Sequence, residues 1–315
     1  MIRNTHNGRR DWREDRIIAK RNETDATVAL MDFLNSPEFG KAQGLLPKRI
    51  DLKVWLKYGH VMIDGVVTTQ FNAPVAPGQW VELNHTRPFV VFRHPRLQIV
   101  YEDDDIIVVN KGYGLLSVGT GSMKREETAY GLLKEYVKRK HPSNKIFVVH
   151  RLDRDTSGLM LFAKSMEAQT AMQHNWNNMV ISRTYVALVE GVVRTDEGVI
   201  KSNLGETSQF EVFSTDEEGV GKPAITRYKV LERGHGYTLV EFSLETGRKN
   251  QIRVHAAKEL EHPIVGDRKY GAKRSPIKRL ALHARTLRFA HPMTRKDMNF
   301  DTPIPSKFVG LLRHS

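Results

Sequence analysis

The segment 145-KIFVVHRLDRDTSGLMLFAKS-165 decides the fold of the larger part of this chain. Residues 146–149 and 159–163 are apolar runs of strand length, read as buried strands. Between them lies a polar stretch, His150 to Gly158. A loop pinned at both ends by buried strands is rigid, as a reacting group requires. Asp153 sits between Arg151 and Arg154, whose charges favour the ionised carboxylate. The same spacing also fits an acid that satisfies a structural ion pair, and this loop alone leaves both readings open.

Upstream, residues 97–111 (LQIVYEDDDIIVVNK) read as strand, acidic turn, strand. Asp103, Asp104 and Asp105 lack the glycine and distal glutamate of a calcium loop, so the turn is expected to be an ordinary hairpin. The glycines that follow, in GYGLLSVGTG, match neither dinucleotide nor P-loop spacing. Downstream, residues 185–189 form a strand-like run that starts at Tyr185, and a buried tyrosine is ordinarily core. Val240, Phe242 and Leu244 alternate into the turn Thr246-Gly247-Arg248. Beyond it, Ile252, His255, Ala256 and Leu260 share one helical side, which puts Arg253 at a strand-to-helix junction.

The length of 315 residues suggests two domains, and 40% hydrophobic content supplies a sizeable core. Lys plus Arg is 49 and Asp plus Glu is 36, a net charge of +13 that points to a polyanionic partner. The stretch 268–296 holds ten Lys or Arg and no acid, and part of it is expected to provide an RNA backbone surface. The absence of cysteine excludes disulfides, thiolate metal sites and cysteine catalysis. The histidines show no metal-ligand spacing, and no metal or cofactor is expected. No apolar run approaches the ~18 residues of a membrane span, and the N-terminal residues lack a signal-peptide core. The chain reads as cytoplasmic, with no membrane partner and, by default, monomeric.

Residues 1–25 hold seven basic and five acidic side chains and are expected to be a mobile arm. From Ala26 the periodicity becomes helical until Pro37, and a second helix is expected after Pro47. Lys48, Arg49, Lys53 and Lys57 fall on about one face of that helix, apt for phosphates or simply for solvent. A hairpin signal follows at Asp64-Gly65. The segment 46-LPKRIDLKVWLKYGHVMIDGVVTTQFNAPVAPGQWVEL-83 resembles the S4 RNA-binding module. We therefore expect a small α/β module over 26–86, a linker over 87–96 and a second domain over 97–315.

That second domain resembles the RluA-type RNA pseudouridine synthases. Its H-R-L-D-R-x-T-S-G loop looks like the family's signature. So do YEDDDIIVVNKGYGLLSV, SRTYVALVEG, LETGRKNQIRVHAA with HPIVGDRKYG, and LALHARTLRFAHP with the later F-x-x-P-I-P, all in the family's order. The resemblance implies an α+β fold with a mixed, largely antiparallel sheet. It also implies isomerisation of uridine in structured RNA, without cofactor: the C1′–N1 bond breaks, the base turns, and C5 bonds to C1′. Asp153 would be the catalytic carboxylate, attacking C1′ or taking a proton from C2′. Arg253 would pair with it, and Tyr185 would stack on the uracil. Arg151 would fill the space of the flipped base. Arg248 and Arg154 are further candidates for substrate contact. Ribosomal RNA of the large subunit is the first expectation, transfer RNA the second.

Two positions depart from the family: Lys111-Gly112 stands where Lys-Pro is usual, and Asn250 where histidine usually precedes Q-I-R. Two other functions remain in view. A catalytically silent RNA-binding or ribosome-assembly protein would not need Asp153, Tyr185 and Arg253 together. An N-glycosidase would need a second, water-activating acid.

Overall fold

The computed structural model describes residues 17–37, 39, 49–84, 86, 88–119, 127–217 and 219–313. The chain divides into two compact units, Met1–Val91 and Phe92–Ser315.

In the first unit, β1 (Ile17–Arg21), β2 (Val28–Ala29), β3 (Val61–Ile63), β4 (Val66–Val67), β5 (Pro74–Val75) and β6 (Trp80–Asn84) accompany helices Leu30–Asn35 and Arg49–Lys57. A four-stranded sheet runs β1-β6-β3-β4, and β2 pairs β5. Leu30, Leu34, Leu52, Leu56, Val61 and Val81 make its core. The expected arm is corrected here: Ile17–Arg21 pairs antiparallel along Trp80–Asn84, with Ile18 buried. An edge strand needs to bury only alternate residues, so Lys20 and Arg21 are compatible with pairing. Asn22 then anchors the following turn, its amide donating to the carbonyls of Ala26 and Val75. Residues 1–16 and Lys48 lie outside the described residues. The expected linker is also shorter, because residues from Phe92 onward belong to the second unit. Its residue Arg96 accepts the Gly112 N–H at 2.7 Å and pairs with Glu127.

The second unit is built on an eleven-stranded sheet. Its strands are β7 (Leu97–Glu102), β8 (Ile106–Lys111), β9 (Phe147–Val148), β10 (Ser157–Ala163), β11 (Val180–Glu190) and β12 (Glu197–Glu206). They continue with β13 (Val212–Thr215), β14 (Lys222–Gly234), β15 (Tyr237–Leu244), β16 (Leu282–Ala290) and β17 (Asp297–Asp301). The main path is β13-β12-β14-β15-β11-β16-β10-β8-β7, with β17 on β16 and β9 on β10. Every pairing is antiparallel except β10 with β16, so the sheet is mixed and largely antiparallel, as expected. Strand β10 is buried along its whole length, consistent with its unbroken apolar run.

The parallel contact between β10 and β16 depends on Gly158. A Cβ there would lie 2.1 Å from the Ala284 carbonyl oxygen, and its φ is +118°. Only glycine allows that approach. Ala284 in turn is in register with Tyr185 of β11. The strand that leaves the Asp153 loop and the strand that carries Tyr185 are thus separated by one strand.

The acidic turn 103–105 is closed by hydrogen bonds. The Asp103 carboxylate accepts from the N–H groups of Asp105 and Ile106, from the Tyr101 hydroxyl and from His291 Nε2. His291 Nδ1 already accepts from the N–H of Met293 and Thr294, so Nε2 carries the proton and has no lone pair for a metal. Among the described residues no helix is long and apolar enough to cross a membrane.

Two histidines in this core stay neutral. Burial pulls His255 down to about 4. Burial, with Arg279 and Arg285 nearby, pulls His283 down to about 4. On unfolding below pH 6.5 each takes up a proton that the folded chain refuses until about pH 4. The unfolded state therefore binds more protons in that window, and stability falls as pH drops through it. Each histidine contributes up to about 1.4 kcal/mol per pH unit. Urea unfolding at pH 7 and pH 5 checks this, and His255→Gln should flatten the slope; an equal slope in both proteins contradicts the assignment.

Candidate active site

The loop between β9 and β10 carries Asp153, and the residues around it fix the loop rather than act in it. Ser117 Oγ donates to the Leu152 carbonyl at 2.6 Å and accepts the Leu152 N–H at 3.1 Å. Lys111, fully buried at the end of β8, donates to the carbonyls of Gly112, Leu115 and Arg154. Burial pulls its ammonium down to about 7, against the attraction of Asp155 and Asp153. His150 Nε2 accepts the Leu161 N–H at 3.0 Å, which ties the loop's first residue to β10. Burial and then Arg183 lower the His150 pKa to about 3, so it serves as a neutral acceptor and not as a catalytic acid.

Arg253 reaches Asp153 from the other side. After β15 the chain turns through Thr246-Gly247-Arg248 into the short helix Gln251–Val254, which continues as a π-turn over His255–Glu259. Gln251 closes that turn. Its Oε1 accepts from Thr246 Oγ1 and the Arg248 N–H, and its Nε2 donates to the Ile225 carbonyl and Thr226 Oγ1. Asn250 caps the helix at φ +53°, a left-handed conformation that asparagine tolerates. Its Oδ1 accepts from Arg253 Nη1 at 3.3 Å and its Nδ2 donates to the Tyr270 hydroxyl at 2.9 Å. The departure from histidine at this position thus leaves Arg253 with a polar partner.

Asp267 settles the orientation of Arg253. Its carboxylate, 1% exposed, accepts from Arg253 Nε and Nη2 at 2.7 Å each, a bidentate pair. Burial opposes the Arg253 charge, and Asp267 more than offsets it, so the guanidinium pKa is raised. The remaining nitrogen, Nη1, lies 3.6 Å from Asp153 Oδ2. Tyr270 packs under the guanidinium, 5.0 Å from ring centre to carbon.

These groups line a cleft of about 420 Å³, where Arg151, Asp153, Tyr185, Arg248, Asn250 and Arg253 meet. Tyr185 is 8% exposed, and burial raises its phenol above the ordinary value, with Arg183 opposing and Asp153 reinforcing. It is a neutral hydroxyl at physiological pH. Arg151 and Arg248 sit exposed at the rim, Arg248 Nε donating to the Pro223 carbonyl. Arg154 is not among the cleft residues; its carbonyl is held by Lys111 and by the Gly114 N–H. Lys53 and Lys57 are exposed on a helix of the first unit, where Arg49 is the first residue.

Within the basic stretch 268–296, Arg279 and Arg285 are drawn into the fold and the other eight cations are exposed. Arg279 packs on Tyr113 and Phe308 and donates to Ser157. Arg285 pairs with Asp301 and Glu241, and Arg288 with Asp297. The acids that pair with Arg285 and Arg288 lie on β15 and β17, outside the run, where local charge counting does not see them.

Sequence reading missed Lys111, Ser117 and Asp267 as parts of the site. Asp267 lies in the quoted HPIVGDRKYG stretch, but nothing local marks it as the buried partner of Arg253. For Ser117→Ala we expect kcat to fall by about 10- to 100-fold through misplacement of Asp153, with RNA affinity within about twofold. A loss of thermal stability with unchanged kcat would limit Ser117 to a structural role.

The family described as RNA pseudouridylate synthase matches residues 105–258. Ribosomal large subunit pseudouridine synthase D of Pasteurella multocida is 35% identical over 283 residues, covering 84% of this chain and 86% of that protein. An uncharacterized RNA pseudouridine synthase of Bacillus subtilis is 34% identical over 272 residues, covering 84% and 89%. Among solved structures, human RNA pseudouridylate synthase domain containing 4 aligns with a TM-score of 0.56 at 26% identity, covering 68% of this chain and 91% of that one. Sequence, sheet topology and relatives agree: the chain belongs to the RNA pseudouridine synthases, isomerases of the RluA type.

Proposed function

We propose that this protein isomerises uridines of large-subunit ribosomal RNA, with Asp153 as the carboxylate that acts on the ribose. The relatives named for that RNA support the substrate, with transfer RNA second. The observation that carries the site is the approach of Arg253 to within 3.6 Å of Asp153 in a cleft that also holds Tyr185. These residues come from three distant segments of chain, and a protein that only bound RNA would have no use for bringing them together.

A flipped uridine entering this cleft presents its ribose to Asp153. The carboxylate attacks C1′ or removes the C2′ proton, and the C1′–N1 bond breaks either way. The uracil, held against the Tyr185 ring, turns and bonds to C1′ through C5 as the Asp153–C1′ bond breaks or the proton taken from C2′ returns, and N1 takes up a proton. The C5 proton then leaves, and the Tyr185 hydroxyl is placed to help move it. Arg253 balances the Asp153 charge where water is excluded. Arg151 at the rim fills the gap that the base leaves in the RNA stack; extrusion costs a few kcal/mol, so a plug is physically useful. Arg248 meets a phosphate beside it.

The first unit is read as an S4-like module that positions RNA through Lys53 and Lys57, with Lys48 and Arg49 in the same segment. The protein would act as a monomer in the cytoplasm.

Tritium release from RNA labelled at uridine C5, prepared from cells that lack the protein, tests the chemistry. Wild type should release tritium from the ribosomal pool, and Asp153→Ala should be slower by more than about 100-fold while RNA affinity stays within about twofold. Free uracil in place of isomerised RNA would favour a glycosidase. Binding without release, on free RNA and on assembled ribosomal particles alike, would favour a silent RNA binder.

A further inference from the structure

The hairpin that joins β12 to β13 carries a side chain that its backbone opposes. Thr207 N–H donates to the Glu211 carbonyl and Phe210 N–H to the Thr207 carbonyl, closing a tight turn over Ser208 and Gln209. Phe210 follows in the left-handed region at φ +63°. Hairpins of this kind place glycine or asparagine at that position, because a bulky side chain there is strained. The ring gains little from the fold in return: Phe210 is 70% exposed.

The surroundings explain what an exposed ring could meet. The Lys249 ammonium lies 5.4 Å from the ring centre and donates to the Phe210 carbonyl at 3.2 Å. Lys249 also pairs with Glu206 on the same hairpin. It lines the Asp153 cleft beside Arg248. The hairpin is anchored to that cleft: Val212, just beyond the turn, belongs to the apolar cluster against which Tyr270 packs, and Tyr270 lies under Arg253. An aromatic ring is therefore held beside Lys249, a residue of the cleft, and is otherwise open to solvent.

We propose that Phe210 is a stacking platform for the base of an unpaired nucleotide adjacent to the flipped uridine, with Lys249 and Arg248 meeting the neighbouring phosphates. A flat, exposed ring beside cations is the chemistry that single-stranded RNA uses, since every base has a face to stack while its phosphates need positive charge. Strain retained at a cleft rim fits a residue kept for its ligand rather than for its fold. The proposal rests on the RNA pseudouridine synthase reading of the cleft, and it extends that reading to a nucleotide that does not react.

Because the strain and the stacking oppose each other, the test has two signs. Phe210→Gly removes the ring and relieves the backbone, so its Tm should equal or exceed that of wild type. Its affinity for a short fluorescein-labelled oligouridylate should fall by about tenfold. KM for protein-free large-subunit ribosomal RNA should rise by a similar factor, with kcat within twofold. Phe210→Trp should restore both affinity and KM. Wild-type affinity and KM in Phe210→Gly would overturn the proposal. So would a lowered Tm whose loss of affinity Phe210→Trp does not rescue, since that pattern marks a structural role. The oligouridylate arm needs no turnover, so an inactive wild type would refute the catalytic reading while this arm still decides the stacking.

Discussion

The Asp267 carboxylate is the point on which the site turns. It is buried, so its charge is tolerable only because Arg253 answers it with two short hydrogen bonds. That bidentate grip leaves Nη1, which also donates to Asn250, facing Asp153, and its direction is set before any substrate arrives. A lone arginine beside an aspartate would sample many rotamers; one clamped by a second carboxylate and stacked on Tyr270 does not. The π-turn after the short helix, and the Gln251 bonds before it, hold the backbone from which Arg253 projects.

The large sheet serves the same constraint. The register of β10, β16 and β11 sets how far the Asp153 loop stands from Tyr185. Gly158 allows the parallel contact that closes that register, so the T-S-G end of the signature loop is a packing requirement as much as a chemical one. Lys111 and Ser117 hold the loop by its carbonyls, leaving the Asp153 side chain at the cleft. The glycine at 112 belongs to this arrangement as well. Its N–H donates to the Arg96 carbonyl, a bond that proline, without an N–H, could not make.

Much of this was legible from local pattern. The apolar runs on either side of Asp153 became strands, the alternation through Phe242 became β15, and Arg253 fell at the expected junction. The roles of Tyr185 and Arg253 came from family resemblance, since a buried tyrosine and a basic helix residue carry no chemistry of their own. What stayed hidden was non-local. Ile17–Arg21 reads as a charged tail because its single buried residue is meaningful only against β6. Asp267 is an ordinary acid until the fold places it under Arg253. Arg285 and Arg288 look unopposed in the run 268–296 because Glu241, Asp301 and Asp297 reach them across strand pairings or from beyond the run. Phe210 is an unremarkable aromatic until its φ and exposure are known.

One guanidinium serves Asp267 and Asp153 together. Arg253→Lys keeps the charge, but a single ammonium cannot hold a bidentate carboxylate and face a second one. The most direct measurement is the single-turnover rate of pseudouridine formation by Arg253→Lys, with RNA affinity followed in parallel. The expected rate is lower by about 100-fold, near 2.7 kcal/mol of lost transition-state stabilisation, with affinity within about twofold of wild type. A wild-type rate in Arg253→Lys would contradict that shared role.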